Sequence, residues 1–349
     1  MKKRRDRHDA ERAVRARLGE ALRRKYGDEV PLAVLQRLDE ECRRLGRHYE
    51  SWDIIEIAAE VGDVCRASGF AHDARGGVGN VYAACLLGIS RCDPLPGGFD
   101  LDSALYLGID GEERPQKIDI NVPLEAMDSL RVHFRDRFTV PDCSEDAVVI
   151  DGCVNVLPST LMSVILMLEH ITGVPSDDAD LEEAAVYDYL RTGDLSLLPF
   201  EADRFRTILA ETAPQHFPDS FAEAVTLGGL ALGSGDKGER YGSLYREGET
   251  LERQIACRDD IFRTFIEHGL EKREALALMK AIRTGEAGKV LSGENGRRLK
   301  ALGIEDWYLA ALKKILYIMP KAHVIGYMTL VMTLIWYKVH FPEVFDGAA

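Results

Sequence analysis

The clearest offer of chemistry in this sequence is the stretch Pro115-Gln116-Lys117-Ile118-Asp119-Ile120-Asn121-Val122. β-Branched residues alternate with polar ones, the period-2 signature of a strand with one buried face, so Lys117, Asp119 and Asn121 share the other face. A carboxylate standing out from a strand can hold a divalent metal once a second carboxylate is brought up beside it. Asp151 is the candidate partner, closing the short apolar run Asp146-Ala147-Val148-Val149-Ile150-Asp151-Gly152. A purely structural reading competes, because strands often end in Asp-Gly turns and a lone outward aspartate is commonly just solvated.

A second set precedes it. Asp73-Ala74-Arg75-Gly76-Gly77-Val78-Gly79-Asn80 leads into the apolar stretch Val81 to Ile89, which reads as a helix. A glycine turn before a helix leaves backbone N–H groups open to a phosphate, with Arg75 as charge partner. The spacing Gly76-x-x-Gly79 also fits an ordinary turn.

Three helices must deliver the chain to that turn. Residues 8–25 form the first, ending around Tyr26-Gly27-Asp28; Pro31 suits the first turn of the second; the third runs from about Trp52 to Ser68, with Ile54, Ile55, Ile57, Ala58, Val61 and Val64 at helical spacing. After Asp151 come a long apolar helix, Leu157 to Ile171, and an acidic linker, Asp177 to Glu183. The remainder, from about Ala184, reads as helical and loop-rich, with a mobile Gly-Ser-polar segment at Gly228 to Glu249. A phosphate turn, a helix and then strand carboxylates is the order found in nucleotidyltransferase palms of the polymerase-beta type.

At 349 residues, 46% apolar and 29% charged, the chain reads as a folded soluble protein of more than one domain. The first 50 residues carry 15 Lys+Arg against 10 Asp+Glu, so the other 299 hold −19 within a total of −14. So acidic a body repels a phosphate backbone, and any nucleic-acid contact has to be local. Seven cysteines with no Cys-x-x-Cys pair fit a reducing cytoplasm rather than disulfides or structural zinc. The basic start, Met1 to Arg7, has no apolar core behind it, as a signal peptide would. The uncharged run from Ala322 to Tyr337 is short for a bilayer span and reads as a buried helix.

The last third carries a resemblance. Cys257-Arg258-Asp259-Asp260-Ile261, Gly269-Leu270-Glu271, Met279 to Gly285, Trp307-Tyr308, Lys313 to His323, Tyr327 and Tyr337 to Pro342 together resemble the fingers domain of the PolC-type alpha subunit of bacterial DNA polymerase III, a family C replicative polymerase. Upstream, Lys25 to Pro31 with Arg37 to Glu41 resembles the start of that family's palm. Arg75-Gly76-Gly77-Val78-Gly79 is similar to its Ser-Arg-Gly-Ser-Val-Gly phosphate motif, and Asp93-Pro94-Leu95-Pro96 to its Asn-Pro-Leu-Pro turn.

The resemblance implies an α+β, helix-dominant fold: an N-terminal helical lead-in (1–72), a small polymerase-beta-like palm sheet (73–175) and a helical fingers-like domain (176–349). It also implies Mg2+, with Asp119 and Asp151 as metal ligands and, with Lys117, as the catalytic set. Arg75, Gly76, Gly77 and Gly79 would lie near phosphate, and Arg258, Lys314, Lys321, His323 and Lys338 would face a triphosphate. Residue-level alternatives stay open: His323 could cap its helix, Arg258 could belong to a local ion pair, and Lys314 could sit on a solvated face.

Departures bear on function. The family's palm strand reads Pro-Asp-Ile-Asp-Leu-Asn-Phe, and Lys117 stands at its first aspartate, bringing a positive charge where two-metal phosphoryl transfer needs a negative one. About 30 residues separate Asp119 from Asp151, where the family places its thumb. The family's zinc insert, phosphatase-like and exonuclease domains and clamp-binding segment are not found, and Gly-Leu-Ser-His-Gly has become Gly229-Leu230-Ala231-Leu232-Gly233.

Two functions are therefore expected to compete. One is a non-processive, impaired or repurposed nucleotidyltransferase, working with a nucleoside triphosphate, one magnesium ion rather than two, and DNA or a small-molecule acceptor. The other is an inactive pseudo-polymerase that binds nucleotide, nucleic acid or protein. Both place the chain in the cytoplasm, away from membranes.

Overall fold

In the computed structural model, residues 8–110, 113, 116–139, 147–192, 195, 203–212, 217–233, 246 and 248–346 are described. The basic start 1–7, Pro115 and Asp146 lie outside them, as do 234–245 and 247 of the segment read as mobile. The chain divides into two compact units, residues 1–166 and 167–349.

The first unit opens with α1 (Asp9–Tyr26), α2 (Leu32–Leu45) and α3 (Tyr49–Ala67). α1 buries one stripe, Ala10, Val14, Leu18 and Leu22, whereas α3 is buried on several sides, among them Trp52, Ile54, Ile55, Ile57, Ala59 and Val61. Then follow β1 (Asp73–Arg75), a 3-10 turn over Gly77–Asn80, α4 (Tyr82–Leu86), α5 (Ala104–Leu107), β2 (Ile118–Val122), α6 (Met127–His133), β3 (Phe138–Thr139), β4 (Val148–Ile150), β5 (Val154–Pro158) and α7 (Thr160–Thr172), which crosses the unit boundary.

The strands form one mixed sheet in the order β1-β2-β5-β4-β3. β2 lies parallel to β5 and antiparallel to β1; β4 is antiparallel to both β5 and β3. The alternation read in β2 is observed, with Ile118, Ile120 and Val122 buried while Asp119 and Asn121 are half-buried. Val154 and Val156 of β5 and Ile150 of β4 join the same core, and α3 packs against β2 and β5. α3 therefore covers the face opposite Asp119.

One sequence expectation fails here. The apolar stretch beginning at Leu157 is not helical throughout: Val154 to Pro158 is the strand β5, and the helix starts only at Thr160. Parallel pairing with β2 stabilises an extended Val-Asn-Val-Leu run whose own alternation marks it as half-buried strand.

The second unit is helical: α8 (Ala184–Thr192), α9 (Asp203–Thr212), α10 (Phe221–Leu232), α11 (Arg258–Glu267), α12 (Lys272–Arg283), α13 (Ala287–Val290), α14 (Gly293–Ala301), α15 (Asp306–Leu312), α16 (Lys321–His340) and α17 (Pro342–Asp346). α16 is long and apolar enough to cross a bilayer by length and composition, yet Val324, Met328, Val331, Met332, Leu334 and Ile335 are buried within the unit. It serves as a core helix.

Gly228 and Gly229, expected to open a mobile segment, instead belong to the buried face of α10. A Cβ on Gly228 would stand 2.6 Å from Met328 of α16, and one on Gly229 would stand 2.8 Å from the Ala256 carbonyl oxygen. Here glycine permits close approach of elements. Gly229→Ala should lower stability by about 1 kcal/mol, since overpacking against backbone outweighs the gain in helix propensity. Gly19→Ala in α1, whose nearest neighbour would be Arg23 Nη1 at 3.9 Å, should instead stabilise slightly. Thermal melts of the two variants check the opposite signs.

Candidate functional site

The sheet register decides which side chains can meet Asp119. Arg75 is opposite it on β1 and Asn155 beside it on β5, so Arg75, Asp119 and Asn155 form one row on one face. Asn155 Nδ2 donates to Asp119 Oδ1 at 2.6 Å. Lys117 precedes Asp119 by two residues, at the mouth of β2; it is exposed, and its charge reaches Cys153 at the foot of β5. On the next rung Asp73 faces Asn121; burial pushes its pKa up to about 6, against the opposing pull of the Arg91 backbone N–H whose bond it accepts at 2.8 Å. Tyr106 stands close enough that, after burial, the Asp119 charge further opposes ionisation of its phenol.

Asp151 stands in the Asp-Gly turn that the sequence also allowed. It and Gly152 have φ of 47° and 76° and form the turn between β4 and β5, the left-handed pair that Asp-Gly accommodates. Its carboxylate accepts from Arg137 Nε at 2.9 Å, and Arg137 Nη1 donates to Glu60 of α3 at 2.8 Å. Asp151 is thus tied toward the helix that covers the face opposite Asp119. The residue brought to Asp119 by a neighbouring strand is Asn155, which sequence reasoning missed because β5 was read as loop and helix.

The glycine turn is built as read, but the helix after it is already capped. Gly76 has φ 88°, with nothing within 4 Å of a Cβ placed on it, and Gly77 and Gly79 lie in the 3-10 turn, Gly79 buried. Glu41, 0% exposed, accepts from Tyr82 N and Ala83 N at 2.9 Å each, filling the donors that the phosphate reading assigned to a ligand. Arg37 holds Glu41 at 2.6 Å and also donates to the carbonyls of Asn80 and Leu101. Burial raises the Glu41 pKa despite these partners. Arg75 remains, exposed and making no ion pair among the described residues.

In the second unit a bridge between Cys257 and Met319 sets the start of α11 beside the start of α16, and Arg258 N donates to Met319 O at 2.9 Å. Acidic side chains cap both helices: Asp260 accepts from Cys257 N, and Asp259 accepts from Lys321 N at 2.8 Å. Lys321 Nζ bonds Asp260 at 3.1 Å; burial works against its charge, but Asp260 outweighs it and the pKa is raised. Arg258 is 5% exposed, and its Nε and Nη2 have no acceptor among the described residues. Burial lowers its pKa, Asp259 opposes, and the nearby Arg283 charge lowers it further. Arg283 Nε is likewise buried without an acceptor.

Of the other cations, His323 is half-buried in the first turn of α16 and Lys314 is exposed after α15. Lys338 cannot join Lys321: 17 residues along one helix separate them by about 25 Å. It lies over the Phe345 ring instead.

The donor set does not fit a pair of magnesium ions. Asp119 alone supplies a carboxylate to the row, with an amide N–H on it and Arg75 and Lys117 on either side, and no cluster of three or more metal-ligating side chains occurs among the described residues. Restoring carboxylates with Lys117→Asp plus Asn155→Asp should create a divalent-ion site. Magnesium or manganese should then raise the melting temperature of that variant and leave the wild type unmoved.

No protein-family model matches the chain. Among curated proteins, it is 30% identical over 199 residues to the DNA polymerase III PolC-type of Caldanaerobacter subterraneus subsp. tengcongensis, covering 52% of this chain and 14% of that protein. The same-named protein of Thermotoga maritima is 28% identical over 233 residues, covering 62% and 16%, and that of Bacillus cereus 31% identical over 205 residues, covering 53% and 14%. The chain spans about a seventh of the length of these relatives. Over about half of its own length, then, it is a distant homologue of the PolC-type DNA polymerase III.

Proposed function

We propose that the chain is a nucleotide-binding protein of DNA polymerase III descent in which metal-dependent nucleotidyl transfer is lost, a palm-and-fingers pseudo-polymerase. The observation that carries this is the Asn155 amide on Asp119, where two-metal transfer calls for a second carboxylate. Lys117 adds a second inversion of charge beside it.

The binding half of the reading is supported by Arg258. A buried guanidinium with two N–H-bearing nitrogens lacking acceptors, next to a second arginine, is costly to keep, and an arriving phosphate would offset part of that cost. The ligand class is a nucleoside triphosphate, and the compartment is the cytoplasm. Among the described residues between β2 and β5, α6 is the one α-helix and β3 and β4 are two- and three-residue strands, too little to grip a duplex, which argues against processive replication. A second reading, slow transfer to DNA or a small acceptor with one magnesium ion, is favoured by the retention of Asp119 itself.

Primer extension with magnesium and all four deoxynucleoside triphosphates should give no product; synthesis at a replicase-like rate would refute the proposal. Arg258→Met should stabilise the free protein by about 1 kcal/mol, because it removes a buried, under-bonded charge, while reducing the rise in melting temperature that a deoxynucleoside triphosphate produces in the wild type. A methionine variant that keeps that rise would remove Arg258 from the binding function.

A further inference from the structure

We infer that the row Arg75–Asp119–Asn155, with Lys117 beside it, holds a compact polyphosphate without a metal ion. The inference rests on the nucleotide-binding reading above and specifies how the phosphate charge is met. In a magnesium palm the protein contributes negative charge and the metal carries the positive charge to the phosphate. Here the positive charge is already covalently present.

Asp119 cannot neutralise both flanking cations. Its Oδ1 is engaged by the Asn155 amide, and neither Arg75 nor Lys117 makes an ion pair or side-chain hydrogen bond among the described residues. Lys117 stands about 7 Å along the same strand face, two residues before Asp119. Asp73, the next acid on this face, is occupied by the Arg91 backbone N–H and lies within the field of the Arg91 charge. With Asp73 set against Arg91, Arg75 and Lys117 outnumber Asp119 in this row, although Asp151 and Asp53 also act on Cys153 beside Lys117 and the chain as a whole carries −14.

Its donors suit phosphate in kind. Arg75 offers a planar fork and Lys117 a mobile point charge. Gly76, adjacent to Arg75, leaves open space where a Cβ would stand, so a ligand oxygen can approach that backbone. Asp119, held by Asn155, presents its remaining acceptor positions to a hydroxyl or an amino group. Compactness follows from the count of cations: duplex binding usually draws on about six to ten phosphate contacts, whereas two cations on an acidic body match a single triphosphate tail.

The test is calorimetry on the full chain with inorganic tripolyphosphate and with a deoxynucleoside triphosphate, each in EDTA and in magnesium. Both ligands should bind in EDTA no more weakly than in magnesium, and Lys117→Ala should weaken both by about tenfold, the worth of one nearby charge at a protein surface. Lys117 is exposed, so an unchanged melting temperature certifies the fold of that variant. Nucleotide binding that needs magnesium, or that ignores Lys117→Ala, would overturn this inference and leave nucleotide binding itself intact. Silence with every ligand under both conditions would overturn both. Displacement of tripolyphosphate by a short DNA duplex at lower concentration would overturn the compact-ligand assignment.

Discussion

Parallel pairing of β2 with β5 is the constraint on which the first unit depends. It places Ile118, Ile120 and Val122 alongside Val154 and Val156, all buried, and gives α3 an apolar surface to pack on. Because side chains alternate with period 2, the same register that satisfies the core sets the polar face. Asp119 meets Asn155 for the same reason that Ile118 meets Val154. A shift of one residue would bury the carboxylate and expose the isoleucines, so the polar row is as firmly specified as the core.

Buried charge is handled by the same logic in both units, with differing completeness. Glu41 spends its two oxygens on the backbone donors of α4 and on Arg37, and Arg37 in turn closes two carbonyls, so the turn after β1 is anchored from α2. Asp259 and Asp260 do comparable work at the junction of α11 and α16, tying Lys321 into the cap. Arg258 is the exception. It is as buried as its neighbours, yet Asp259 reaches its Nε only at 3.9 Å. Leaving a guanidinium under-bonded beside another arginine is costly in a well-packed helical unit.

In each unit, basic side chains stand close to the acidic ones. Lys117 and Arg75 border the carboxylate of the β1-β2-β5 row, and Arg258 lies within the field of Arg283 in the helical unit. Similarity to PolC-type polymerases extends over about half of this chain.

By itself the sequence determined the three leading helices, the alternation of β2, the turn at Gly76 and the buried character of α16, because each follows from local periodicity or from a residue with a narrow conformational range. It also carried the likeness to a polymerase and the anomaly at Lys117. Tertiary structure alone decided which residue stands beside Asp119. Asp151 and Asn155 are four residues apart, either could have been the partner, and strand register with the Asp-Gly turn selected Asn155. It alone showed that Glu41, more than 40 positions upstream, fills the helix donors after the glycine turn, and that Lys338 is a helix length away from Lys321. Those outcomes are non-local: they depend on which segments pair and pack, and no window of sequence contains both partners.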